Sequence, residues 1–119
     1  MPNKPKQTPE SLYAVLRPVQ EAKGYYFNPD LQDMTLPLLE GLLVNKERYG
    51  YMACPCRLAN GEREEDLDII CPCVYREPDV IEYGTCYCGL YVNKDVAAGR
   101  EAPSDVPERR PPGNILLLR

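Results

Sequence analysis

The 119-residue sequence predicts a small, mainly α-helical single domain whose short helices are joined by ordered loops. Three observations lead there. Two N-terminal segments carry leucines and valines at helical spacing, and no stretch alternates strongly enough to predict a strand. Thirteen prolines and eight glycines punctuate the chain too often for long elements. Nine tyrosines, against one phenylalanine and no tryptophan, predict a core with several half-polar members. A domain of this size buries a modest fraction of its surface, so bound metal would add stability that the core lacks. The domain is expected over 8–119, with 1–7 as a flexible tail.

The first helix has clear boundaries. Thr8 is suited to N-cap it, Pro9 to its first position and Glu10 to the positive end of its dipole. Leu12, Val15, Leu16 and Val19 form its apolar face, Gly24 ends it, and Pro18 should kink or split it. Tyr25 to Pro29 reads as an extended linker. Asp30 or Asp33 starts the second helix, whose main body runs from about Leu36 to Arg48 with Pro37 in the first turn. Leu36, Leu39, Leu42 and Leu43 lie along one face, and Gly50 is its stop. Farther on, Gly61 to Ile70 predicts one short helix with a wet acidic face (Glu62, Glu64, Glu65, Asp66). Val74 to Thr85 reads as loop with a turn of helix, and a last turn is expected near Val106 to Arg110, stopped by Pro111 and Pro112.

Chemistry concentrates in the six cysteines, arranged as Cys54-Pro55-Cys56, Cys71-Pro72-Cys73 and Cys86-Tyr87-Cys88. Three copies of one spacing rule out incidental core cysteines. A disulfide scaffold needs an oxidising compartment, and the polar start Met1 to Gln7 does not resemble a signal peptide. Structural zinc usually draws on Cys-x-x-Cys knuckles or adds histidine, and the chain has no histidine. A Cys₄ zinc site would also leave two cysteines without a task. A [4Fe–4S] cube takes four thiolates, and the two remaining cysteines are the number a dithiol/disulfide couple requires. The pattern favours the cluster over zinc or a disulfide scaffold without assigning which four cysteines hold it.

At these residues the chain resembles the catalytic chain of ferredoxin–thioredoxin reductase, whose family pattern is Cys-Pro-Cys, Cys-Pro-Cys, Cys-His-Cys. The likeness covers about Thr8 to Pro112, including the ending Val106 to Pro111. It implies a disc-like multihelical domain with a [4Fe–4S] cluster near one surface. It also implies roles: Cys54, Cys71, Cys73 and Cys86 as cluster ligands, and Cys56 and Cys88 as the active-site disulfide. Cys56 would be the exposed nucleophile, and Cys88 would stay beside the cluster and later resolve the mixed disulfide. The implied partners are ferredoxin or a similar one-electron donor, a thioredoxin-like disulfide substrate and a small variable subunit. The implied location is the cytoplasm, or a plastid stroma where a transit peptide has been removed.

Two departures bear on these roles. Tyr87 stands where the family has histidine, and an unperturbed phenol, titrating near ~10, is a poor base at neutral pH. Packing over the cluster and donating a hydrogen bond to sulfur are the alternatives for Tyr87. The spacer from Cys73 to Cys86 is longer than in plant-type chains. Arg57, Arg63, Arg76 and Lys94 flank the cysteines and fit a solvated surface, although Arg57, directly after Cys56, is also placed to favour a thiolate. The net charge of −4 argues against nucleic acid, and no apolar run predicts a membrane span. The rival classes are a non-enzymatic iron–sulfur electron-transfer or redox-sensing protein and a zinc-stabilised module.

Overall fold

The computed structural model describes residues 7–116, so most of the expected N-terminal tail and the end of the C-terminal leucine run lie outside the described residues. Helix α1 (Pro9–Ala22) begins as expected: Thr8 caps it by accepting from the Ser11 N–H, and Ser11 returns the bond to the Thr8 N–H. Of the two effects expected of Pro18, a split does not occur: α1 runs through it as one helix. Its buried side is also narrower than the periodicity indicated. Leu12 is buried and Leu16 partly so, whereas Val15 and Val19 are exposed and polar Gln20 takes a buried place.

The Tyr25 to Pro29 linker proves to be half of a small ribbon. Strand β1 (Tyr26–Phe27) pairs antiparallel with β2 (Tyr91–Val92), with Tyr26 opposite Val92 and Phe27 opposite Tyr91. Each strand has only two residues, too few to show a period. Asp30 then caps a π-helical turn (Leu31–Thr35) by accepting from the Asp33 N–H, and α2 (Leu36–Tyr49) continues from it. Gly50 ends α2 in the left-handed region, at φ 87°. Leu39 and Leu42 are buried while Leu36 and Leu43 flank them, so the expected apolar face of this helix is present.

Between the first two cysteine motifs the expected single helix is instead two 3₁₀ turns, Arg63–Glu65 and Leu67–Ile69. The break falls at Asp66, which is fully buried rather than on a wet face. Its carboxylate accepts from the Asn60 and Gly61 backbone N–H groups and so holds the chain in a loop that a regular helix would not allow. The spacer before the third motif holds more helix than expected: α3 (Arg76–Tyr83) accommodates Pro78 in its first turn and stops at Gly84. A short helix α4 (Lys94–Ala97), capped by Asn93, follows β2. Val106 to Arg110 is not helical. The last turn lies just beyond it at Pro112–Asn114, where Pro112 opens a 3₁₀ turn.

The elements make a mainly helical disc of 44 × 44 × 24 Å. One core cluster joins Leu12 of α1, Leu39 and Leu42 of α2, Val80 of α3 and the ribbon residues Phe27 and Tyr91 to Cys86. A second gathers Tyr51, Ala53, Cys54 and Ile69. Each core therefore ends in a cysteine. Gly41 lets α2 lie directly against the first motif, because a Cβ there would fall 2.8 Å from the Pro55 Cβ. Among the described residues, no helix is long and apolar enough to cross a membrane.

Candidate metal and thiol site

Backbone pairing sets the three motifs side by side. Ala53 and Ile70 form an antiparallel bridge, with the Cys54 N–H donating to Ile69 O and the Cys71 N–H to Met52 O, both at 2.8 Å. The third motif is a tight turn closed by Gly89 N–H to Cys86 O at 2.9 Å, with Gly89 at φ 83°. The Cys86 N–H donates to Tyr91 O, while Asn28 Nδ2 donates to Gly89 O from the β1 side. The ribbon missed by sequence reasoning is thus what positions Cys86 and Cys88.

Cys54, Cys71, Cys73, Cys86 and Cys88 line one narrow cavity, together with Arg57, Pro72, Arg76, Tyr87 and Tyr91. Cys56 is exposed and lies outside that lining, and all six cysteines are free thiols. Cys88 is the meeting point. Its sulfur lies 3.8 Å from that of Cys86, within hydrogen-bond reach. Interaction with the sulfurs of Cys54, Cys56 and Cys86, with burial, favours its protonated form and pushes its pKa well up. The same contact lowers Cys56, where the Cys88 bond outweighs burial and repulsion from neighbouring sulfurs. Cys86 falls to about 6, first through Cys88 and then through the backbone N–H groups of the turn against opposing burial. Burial pushes Cys71 well up and Cys73 up, the latter despite Arg57.

Two arginines face this cavity, each over two tyrosine rings. The Arg57 guanidinium carbon lies 4.5 Å from the Tyr87 ring centre and 5.0 Å from that of Tyr75. Arg76 lies 3.7 Å from the Tyr25 ring centre and 4.8 Å from that of Tyr91, with Nη1 donating to Gln20 Oε1 at 2.6 Å. Arg57 is buried, not solvated: Nη1 donates to Cys73 Sγ at 3.3 Å and Cys54 Sγ at 3.9 Å, and Nε to the Glu108 carboxylate at 3.0 Å. Its Nη2 and Asp79 Oδ2 have no hydrogen-bond partner and face each other at 4.0 Å. Sequence reasoning placed Arg76 beside the cysteines but on a solvated surface, whereas it is buried, and it missed Gln20, Asp79 and Glu108 as neighbours of the site. The dense Arg and Tyr content around the motifs was the available signal, without its pairing.

The donor set suits an iron–sulfur cluster. It is all thiol, and guanidinium groups stand nearby to balance thiolate charge. Among the described residues, no three His, Cys, Asp or Glu side chains converge as a single-ion site.

Comparison with known proteins follows this geometry. A family model described as ferredoxin thioredoxin reductase catalytic beta chain matches residues 3–109. The catalytic chain of ferredoxin-thioredoxin reductase from Guillardia theta is 38% identical over 72 residues, covering 59% of this chain and 66% of its own length. That of Cyanidium caldarium is 33% identical over 85 residues, covering 70% and 72% respectively. That of Porphyra purpurea is 32% identical over 87 residues, covering 71% and 66%. This chain thus spans roughly two thirds of the length of these relatives.

Proposed function

The chain belongs to the ferredoxin thioredoxin reductase catalytic beta chain family, and from that premise we propose that it is an iron–sulfur disulfide reductase. Its electrons would come from a ferredoxin-like carrier and pass to a thioredoxin-like disulfide. Cys54, Cys71, Cys73 and Cys86 hold a [4Fe–4S] cluster, and Cys56 with Cys88 form the dithiol/disulfide couple. When bound, the cluster supplies storage for single electrons, so that a one-electron donor can serve a two-electron reduction.

The observation that supports this reading is the pocket itself: Cys88 lines it with Cys54, Cys71, Cys73 and Cys86, its sulfur 3.8 Å from that of Cys86, while Cys56 lies exposed outside the lining. Cys56, accessible and favoured as thiolate, attacks one sulfur of the target disulfide, forming a mixed disulfide and releasing the other sulfur as thiolate. Cys88 then attacks Cys56, which expels the second target sulfur and leaves a Cys56–Cys88 disulfide. The target has gained two electrons and takes up two protons, and the donor restores the dithiol one electron at a time. Tyr87 has no part as a base in this scheme. The proposed location is the cytoplasm, and a small variable subunit is a further partner carried by the family premise.

The test begins with anaerobic purification and measurement of iron, zinc and labile sulfide. About four irons and four sulfides per chain are expected. Cys56→Ser and Cys88→Ser should keep the iron and abolish turnover with thioredoxin. One zinc without sulfide would leave a structural module instead. Iron with turnover intact in both variants would leave an electron carrier or sensor.

A further inference from the structure

We propose that Tyr87 is a positioning residue: its ring face, together with that of Tyr75, holds the Arg57 guanidinium against the sulfurs of Cys73 and Cys54. The third cysteine motif thereby sets the charge felt by the first two.

The Arg57 side chain is 1% exposed, and its guanidinium carbon lies over both rings, at 4.5 Å from the centre of Tyr87 and 5.0 Å from that of Tyr75. A cation removed from water is attracted to an aromatic face most strongly in such a setting. Its hydrogen bonds alone do not fix it, since Nη2 donates to nothing and Asp79 is 4.0 Å away. The rings supply the remaining restraint. Tyr75 is itself anchored, because its hydroxyl donates to Asp68 Oδ2 at 2.7 Å. Tyr87 is different: its contact is made through the ring face, and its hydroxyl has no hydrogen-bond partner among the described residues. That arrangement uses the aromatic face and leaves the phenol idle, so a hydrogen-bonding or proton-exchanging role has no support in the contacts.

The consequence is electrostatic. Arg57 Nη1 donates to Cys73 Sγ at 3.3 Å and to Cys54 Sγ at 3.9 Å. Donors and cations beside metal-bound sulfur draw electron density from it and make the centre easier to reduce. A guanidinium released from the rings would move toward Asp79, 4.0 Å from its Nη2, and that influence would weaken. This inference rests on the reading that Cys54 and Cys73 are cluster ligands.

The experiment measures the midpoint potential of the metal centre, by absorbance and electron paramagnetic resonance, in the protein as isolated and in five variants. Tyr87→Phe keeps the ring and should keep the potential. Tyr87→Leu removes it and should shift the potential to more negative values. Arg57→Gln should shift it further in the same direction, and Arg57→Lys should recover part of that loss because charge remains. The double variant Tyr87→Leu/Arg57→Gln should match Arg57→Gln alone. The proposal is overturned if Tyr87→Leu leaves the potential in place, if its shift adds in full to that of Arg57→Gln, or if Tyr87→Phe shifts it as far as Tyr87→Leu. Should the isolated protein hold no iron–sulfur centre, the functional reading fails and the clamp is judged by thermal unfolding of the same proteins. A loss of Tm from Tyr87→Leu that vanishes in the Arg57→Gln background upholds it, and an equal loss in both backgrounds overturns it.

Discussion

Two buried arginines tie the cysteine loops to the C-terminal segment, and the protein satisfies them in opposite ways. Arg110 is saturated. Its guanidinium donates to the Asp68 carboxylate, to Asp66 Oδ1 at 3.2 Å and to the carbonyls of Leu58 and Glu65. Arg57 is unsaturated: it shares thiol sulfurs, two aromatic faces and one carboxylate, and Nη2 is left without a partner. A buried cation with every donor directed to an oxygen is a structural knot, since any movement breaks several bonds at once. A buried cation held by rings and sulfur keeps its electric field directed at those sulfurs. Residue type and burial are the same at both places, and the partners separate architecture from chemistry.

The largest effect should come from the knot. Arg110→Ala leaves Asp66 and Asp68 without their counter-ion, and the Arg110–Asp66 pair is fully excluded from water. Denaturant unfolding is expected to show a loss of about 3–5 kcal/mol, with the metal-centre absorbance per folded molecule unaltered. A loss below about 1 kcal/mol, the range of a solvent-exposed pair, would break the comparison.

Acid should expose the same knot. Burial opposes the charges of Asp66 and Asp68, but hydrogen bonds more than offset it: from Tyr51, Asn60, Gly61 and Arg110 for Asp66, and from Arg110, Tyr75 and Asn114 for Asp68. Both carboxyls therefore titrate below their ordinary 3.8. Because the folded values lie under the unfolded ones, this stability is fully present above the unfolded pKa. It is lost as pH falls through the folded values. Unfolding free energy measured against pH should drop in that acid window, and Asp66→Asn should flatten the drop while lowering stability at neutral pH.

The knot was also the least legible part of the sequence. The acidic run Glu62 to Asp66 carries no mark that its last member is buried, because partner Arg110 lies 44 positions away. Local patterns were informative where the cause is local: Thr8 and Pro9 at the start of α1, Gly50 at the end of α2, and the leucine face between them. Where long-range contact decides, they were not. Val15 and Val19 repeat at helical spacing yet face outward, while Gln20 turns inward because Arg76 meets it. The cysteine motifs were readable as one centre because their spacing repeats. Their arginine and tyrosine surround was not, since Arg57, Tyr75, Tyr87 and Glu108 come together only through the fold.

Tyr51→Phe sharpens the contrast at smaller cost. The Tyr51 hydroxyl donates to Asp66 Oδ2 in the buried knot, so its removal should cost roughly 1.5 kcal/mol, the lower end for a bond to a charged group, because Asp66 keeps other donors. Tyr87→Phe, on the Arg57 side, removes a hydroxyl with no partner and should leave the unfolding midpoint unchanged. Equal losses from the two phenylalanine variants would remove the distinction between a hydrogen-bonded tyrosine and a stacked one.

A further small loss of stability should come from the residue that touches both arginines. Glu108 accepts from Arg57 Nε at 3.0 Å and from the Arg110 backbone N–H at 2.9 Å. Its side chain is 31% exposed, so Glu108→Gln should cost about 1 kcal/mol or less, the amide oxygen still accepting one of these bonds. Its electrical effect should be larger in proportion. With the carboxylate neutralised, the Arg57 charge is offset by one partner fewer and acts more strongly on Cys73 and Cys54. The metal-centre potential should therefore move to more positive values, opposite in sign to Tyr87→Leu. A negative shift in Glu108→Gln would mean that the carboxylate holds Arg57 in place rather than balancing its charge. The clamp would then have three walls, two aromatic and one acidic.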